Sequence, residues 1–96
     1  MSMDFGTDPE GCFSADYGTA RDRFLAACAR HDTTPVPYRN PLTGPAGEEL
    51  AVDAAWFGPP DARRVLVLIS ATHGVEGFCG SAVQLDWLLD NGPTEL

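Results

Sequence analysis

Three features of the sequence predict an α/β fold. Tyr17, Ala20, Phe24, Ala27, Cys28 and His31 recur at three- and four-residue spacing, the period of a helix with one apolar stripe. Leu50, Val52, Ala54 and Trp56 alternate with Ala51, Asp53, Ala55 and Phe57, the period of a strand with one well-buried face. Residues 65–69, VLVLI, form an unbroken apolar run, which fits a strand covered on both faces. A second helix over about 80–90 follows that run.

In chain order, residues 1–13 read as a loose leader anchored by Phe5 and Phe13. The first helix begins at Ser14 or Thr19, either of which can cap it, and Gly18 weakens the earlier start. Arg21, Asp22, Arg23 and Arg30 fall mostly on the face opposite the stripe. Residues 34–38 are extended, but Pro35 and Pro37 withhold ladder donors and restrict them to an edge strand. RNPLTGPAGEE reads as one long polar turn and GPPD as another. The last helix stops at Asn91-Gly92-Pro93. It carries Ala82, Val83, Leu85, Trp87, Leu88 and Leu89, leaving Gln84, Asp86 and Asp90 to face water. A helix this apolar is normally buried in something larger, and the 65–69 strand also wants neighbours. Residues 14–96 are therefore expected to be the amino-terminal part of an incomplete domain.

Composition narrows the function classes. Ninety-six residues allow one domain with a modest core. Six basic against 14 acidic residues give a net charge of −8, which argues against nucleic-acid or anionic-membrane partners, since both need positive charge facing phosphate. The acidic start MSMDFGTDPEG lacks the basic and apolar regions of a signal peptide. No apolar run approaches the roughly 20 residues that cross a bilayer. Cys12, Cys28 and Cys79 are odd in number and follow no recognised spacing, which fits a reduced, cytoplasmic setting.

The residues that could carry chemistry lie between the apolar run and the last helix. In open α/β sheets, ligands gather beyond the carboxyl ends of the strands. His73 and Glu76 stand just past such an end, on a loop thinned by Gly74 and Gly77. Three-residue spacing on a turn can bring both to one side, and imidazole nitrogen and carboxylate oxygen are both zinc ligands. His-x-x-Glu is nonetheless a short motif, and a solvated pair of loop residues is its ordinary alternative. Cys79 continues the three-residue spacing and allows a local His73, Glu76, Cys79 set to be imagined. A small residue that lets the helix approach the sheet is the simpler reading for it. His31 is expected to be a structural or solvent-edge histidine, and Trp56 and Trp87 are expected to be core residues.

The layout resembles the zinc carboxypeptidase superfamily, in which a His-x-x-Glu motif follows a central strand and leads into a helix after an antiparallel hairpin. The stretch PLTGPAGEELAVDAAWFGPPDARRVLVLISATHGVEGFCGSAVQLDWLL resembles more closely a bacterial carboxypeptidase-like family of unknown function. FSADYGTARDRFLAACAR is similar to that family's opening helix, and ISATHGVEGFCGSAVQ is the most specific part. The resemblance covers roughly residues 13–90. It implies the amino-terminal portion of a three-layer α/β/α, phosphorylase/hydrolase-like fold, a mixed sheet with helices packed on it. It also implies that His73 and Glu76 are zinc ligands and that the substrate is a peptide or a small N-acyl amino acid. The superfamily's second His ligand, glutamate base and substrate-binding Arg come from later segments, so no catalytic residue is assigned within this chain.

Two other readings compete. In an α/β-hydrolase, an apolar strand also runs into His-Gly, which would place His73 and Gly74 near an oxyanion hole, although no Gly-x-Ser-x-Gly elbow is present. Alternatively the chain is a non-catalytic interaction module that self-associates through an exposed strand edge and its apolar last helix.

Overall fold

The computed structural model describes residues 9–72 and 74–96, so Phe5 and His73 lie outside the described residues. It is a small α/β structure with helices α1 (Tyr17–Ala29) and α2 (Gly77–Leu89) and strands β1 (Val36–Thr43) and β2 (Glu49–Ala54). The strands pair antiparallel in a two-stranded sheet, and short 3₁₀ helices lie at Pro9–Cys12 and Gly92–Glu95.

Neither Ser14 nor Thr19 caps α1. Asp16 does, in extended conformation, with Oδ1 accepting from the Thr19 amide at 2.8 Å. An aspartate accepts one of the amides that the first turn leaves unpaired, and its charge faces the positive end of the helix dipole. The other end closes through Asp32 at φ 54, where the Thr33 amide donates to Cys28 O at 3.0 Å. An αL residue followed by a bond back into the last turn is the usual geometry of such a stop.

The predicted polar turn is mostly strand. β1 runs on through Asn40, Pro41 and Leu42 to Thr43, and only residues 44–48 turn. Its register is regular from Val36↔Ala54 to Arg39↔Ala51 and then slips before Thr43↔Glu49. Pro41 has no N–H for the ladder, and Asn40 Oδ1 instead accepts from the Leu42 amide at 2.8 Å, so the chain bulges there.

The hairpin also turns the opposite face inward from the one its hydrophobic residues suggest. Ala51 and Asp53 face α1, where Tyr17 and Arg21 bond to them. Val36, Tyr38 and Val52 stand 54%, 61% and 70% exposed on the other face. Trp56 is not a core residue either, because half of it is exposed and its indole N–H donates to Gly58 O and Pro59 O, fastening the turn.

The core lies between the helices. Ala27 and Cys28 of α1 meet Ala82, Leu85 and Leu88 of α2, with Cys12 of the first 3₁₀ helix in the same cluster. Cys12 rather than the half-exposed Phe13 therefore ties down the segment before α1. Trp87 packs against the cluster as predicted, and its ring occupies the space that a Cβ on buried Gly92 would need.

The largest departure concerns residues 65–69, which form no strand and are 45–79% exposed. A strand exists only through partners in its ladder. Among the described residues none pairs with this segment. It is held by α2 instead: Gln84 donates from Nε2 to Leu68 O at 3.1 Å and accepts from Ser70 Oγ at 2.9 Å.

Candidate functional site

The loop from Ser70 to Gly77 joins the apolar segment to α2. Its first turn is made by Ala71 at φ 57, a left-handed conformation that costs a non-glycine residue about 1 kcal/mol or more. Gly74, at φ 70, reverses the chain again, and the Gly77 amide donates to Gly74 O at 3.2 Å. Two such residues within four positions fold the loop tightly before the helix begins.

Small residues on one face of α2 allow the helix to sit against this loop. A Cβ on Gly77 would lie 3.0 Å from Ala71 Cα, and one on Gly80 would lie 3.3 Å from Ser70 Cβ. Gly77, Gly80 and Gln84 form one face at helical spacing, and this face carries the apolar segment and the loop. The close-approach role expected of Cys79 therefore belongs to Gly77 and Gly80, while Cys79 is exposed. The signal was present in the sequence as two glycines three residues apart.

Glu76 immediately precedes α2, with helical φ and ψ and no capping bond from its side chain to the helix. The residue is exposed, and its carboxylate lies back over Gly74, filling the volume that a Cβ there would occupy. Of the sequence-predicted ligands, Glu76 is thus placed at a solvent-facing corner between loop and helix. His73 lies outside the described residues. Among the described residues, no three His, Cys, Asp or Glu side chains converge on a point. His31 has the structural role expected of it: Nε2 lies 2.7 Å from Leu88 O, tying the end of α1 to the end of α2, and the ring packs edge-on to Phe57.

Beside the loop is a cavity of about 590 Å³ that sequence reasoning missed. Tyr17 of α1, Tyr38 of β1, Leu50 and Val52 of β2, and Gly74 and Phe78 line it. Non-local packing of three elements creates it, so no local pattern announces it. The Tyr17 hydroxyl is committed there, accepting from the Ala51 amide at 2.8 Å and donating to Ala51 O at 3.2 Å. Arg39 at the cavity is matched by Glu49, Nε to Oε1 at 2.8 Å.

Neither of the two core thiols lines the cavity. Burial raises Cys12 and pushes Cys28 up to about 11, with the nearby Asp86 and Asp53 carboxylates acting in the same direction. A thiol so held stays protonated and unreactive at neutral pH.

No helix among the described residues is long and apolar enough to cross a membrane. A family model described as "Protein of unknown function (DUF2817)" matches residues 13–96, and the chain belongs to that family. No curated protein and no solved structure matches it.

Proposed function

We propose that this chain carries the first two metal ligands, His73 and Glu76, of a zinc-dependent hydrolase of carboxypeptidase or amidase type. The layered α/β/α arrangement expected from the resemblance belongs to the same proposal. The observation that carries the reading is the position of Glu76. Its carboxylate stands exposed at the head of α2 and rests over Gly74, the residue that follows His73 in the chain.

The donor chemistry fits. An imidazole nitrogen and a carboxylate oxygen suit zinc, and a catalytic zinc takes three protein ligands and keeps one position open. Zinc bound there would supply an acidified water and polarise the carbonyl of an amide. The chain's own part is to present the two ligands from a loop whose shape is fixed by Ala71, Gly74 and Gly77. On this reading neither the third ligand nor the general base is assigned among these 96 residues, so the chain by itself is expected to be inactive and to bind zinc weakly.

Zinc titration followed by calorimetry tests the assignment. Saturable binding at one site, lost in His73→Ala and in Glu76→Gln, is the expected result. Binding that is the same in both variants would overturn the ligand assignment and favour the oxyanion-hole reading of His73 and Gly74, which needs no metal. A second reading, a self-associating module, is favoured by the exposure of residues 65–69.

A further inference from the structure

We infer that the cavity beside Gly74 binds the apolar group of a neutral amide, an aryl or branched alkyl substituent, and does not take a free carboxylate. The amide itself is supplied by the metallohydrolase reading. The preference for an uncharged apolar group rests on the cavity alone.

The volume of about 590 Å³ lies within the range of small-molecule sites, which are mostly apolar with a few placed polar groups. Three aromatic side chains, Tyr17, Tyr38 and Phe78, line it, and aromatic walls favour a ring offset or edge-on between them. Ala71, Gly74 and Gly77 form the part of the wall next to Glu76 in the chain. A group seated here would thus bring its attached carbonyl to the loop that carries the proposed ligands.

Charge argues against an anionic group in the cavity. Among the described residues lining the cavity, Arg39 is the one cation, and it already faces Glu49. The Tyr17 hydroxyl is used at both donor and acceptor by Ala51. With a net charge of −8 over the chain and Arg39 committed to Glu49, a ligand carboxylate would meet no uncommitted cation among the described lining residues.

The test is titration of the ¹⁵N-labelled 96-residue chain with N-benzylacetamide, N-methylacetamide and phenylacetate, without zinc. N-benzylacetamide is expected to shift the amides of Ala51, Gly74, Gly77 and Phe78 saturably, with phenylacetate and N-methylacetamide each at least about tenfold weaker. Tyr38→Ala, at an exposed position where folding tolerates the change, should weaken N-benzylacetamide about tenfold, and Phe78→Leu should also weaken it. Absence of saturable shifts at these amides would overturn the inference, and so would phenylacetate binding as tightly as N-benzylacetamide. Because zinc is absent, loss of the metal assignment would leave this result standing, and the two failures are distinct.

Discussion

Arg21 and Asp53 form a two-pronged ion pair that fixes the hairpin on α1. Nε reaches Oδ2 at 2.8 Å and the terminal nitrogen reaches Oδ1 at 3.1 Å, with the Asp53 side chain only 8% exposed. Donating to Asp53 raises the pKa of the Arg21 guanidinium further, so it stays charged over the whole working range of pH. This contact draws the Asp53 face of the hairpin inward, and the Tyr17 bonds to the Ala51 main chain hold the strand beside α1.

Breaking that pair should loosen the hairpin. Removing one partner leaves the other charge partly buried without its counter-charge, so Arg21→Ala is expected to cost about 1–3 kcal/mol. Arg21→Lys should recover only part of this, because an ammonium cannot make both bonds in one plane. Urea denaturation measures the cost, and hydrogen exchange at Ala51 and Asp53 shows whether the hairpin detaches first. An Arg21→Ala variant as stable as the parent would mean that the pair is incidental.

The two glycines of the α2 face should respond differently to alanine. At Gly77 the added Cβ meets Ala71 backbone at 3.0 Å, which cannot move without reshaping the loop, so a loss of about 1–3 kcal/mol is expected. At Gly80 the contact is Ser70 Cβ at 3.3 Å, and a gain in helix propensity of up to about 1 kcal/mol opposes it. Gly80→Ala should therefore be close to neutral in a thermal melt. Equal losses at both positions would show that the loop does not distinguish them.

The order of legibility in the sequence follows the range of the interactions. Both helices could be read because their stripes depend on residues three and four apart, and Ala27, Cys28, Leu85 and Leu88 are buried as the period requires. The cap at Asp16 is not legible in the sequence because Ser14, Asp16 and Thr19 all suit the role, and only the bond to the Thr19 amide decides among them. Residues 65–69 have the composition of an inner strand, yet strand formation depends on distant partners and composition supplies none. The inward face of β2 was likewise hidden, because Asp53 is drawn in by an arginine 32 residues away. At the candidate site, the motif was plain in the sequence and the cavity was not.

Alkaline pH should weaken the fold through Cys28. Its thiol is pushed from an ordinary 9.0 to about 11 by burial, so the folded state holds the proton more tightly than the unfolded state. The resulting contribution is complete below pH 9 and is lost as pH rises through about 11. Urea midpoints taken from pH 8 to 11 should fall more steeply for the parent than for Cys28→Ala, which carries no thiol there. Parallel slopes would show that the thiol does not couple to folding.

The uncovered apolar run should make the chain associate with itself. Val65, Leu66, Val67, Leu68 and Ile69 are 53%, 59%, 69%, 45% and 79% exposed, and the outward hairpin face adds Val36, Tyr38 and Val52. Apolar surface on a segment that has no ladder partner among the described residues is a feature that leads chains to pair with one another. Sedimentation velocity is expected to show a sedimentation coefficient that rises with protein concentration. Val67→Lys places a charge at the middle of the run, where its side chain replaces a largely solvent-facing one, and should return the chain toward monomer without loss of helix content. A parent chain that stays monodisperse at all concentrations and melts in one sharp transition would show that residues 65–69 are tolerated in water as they stand.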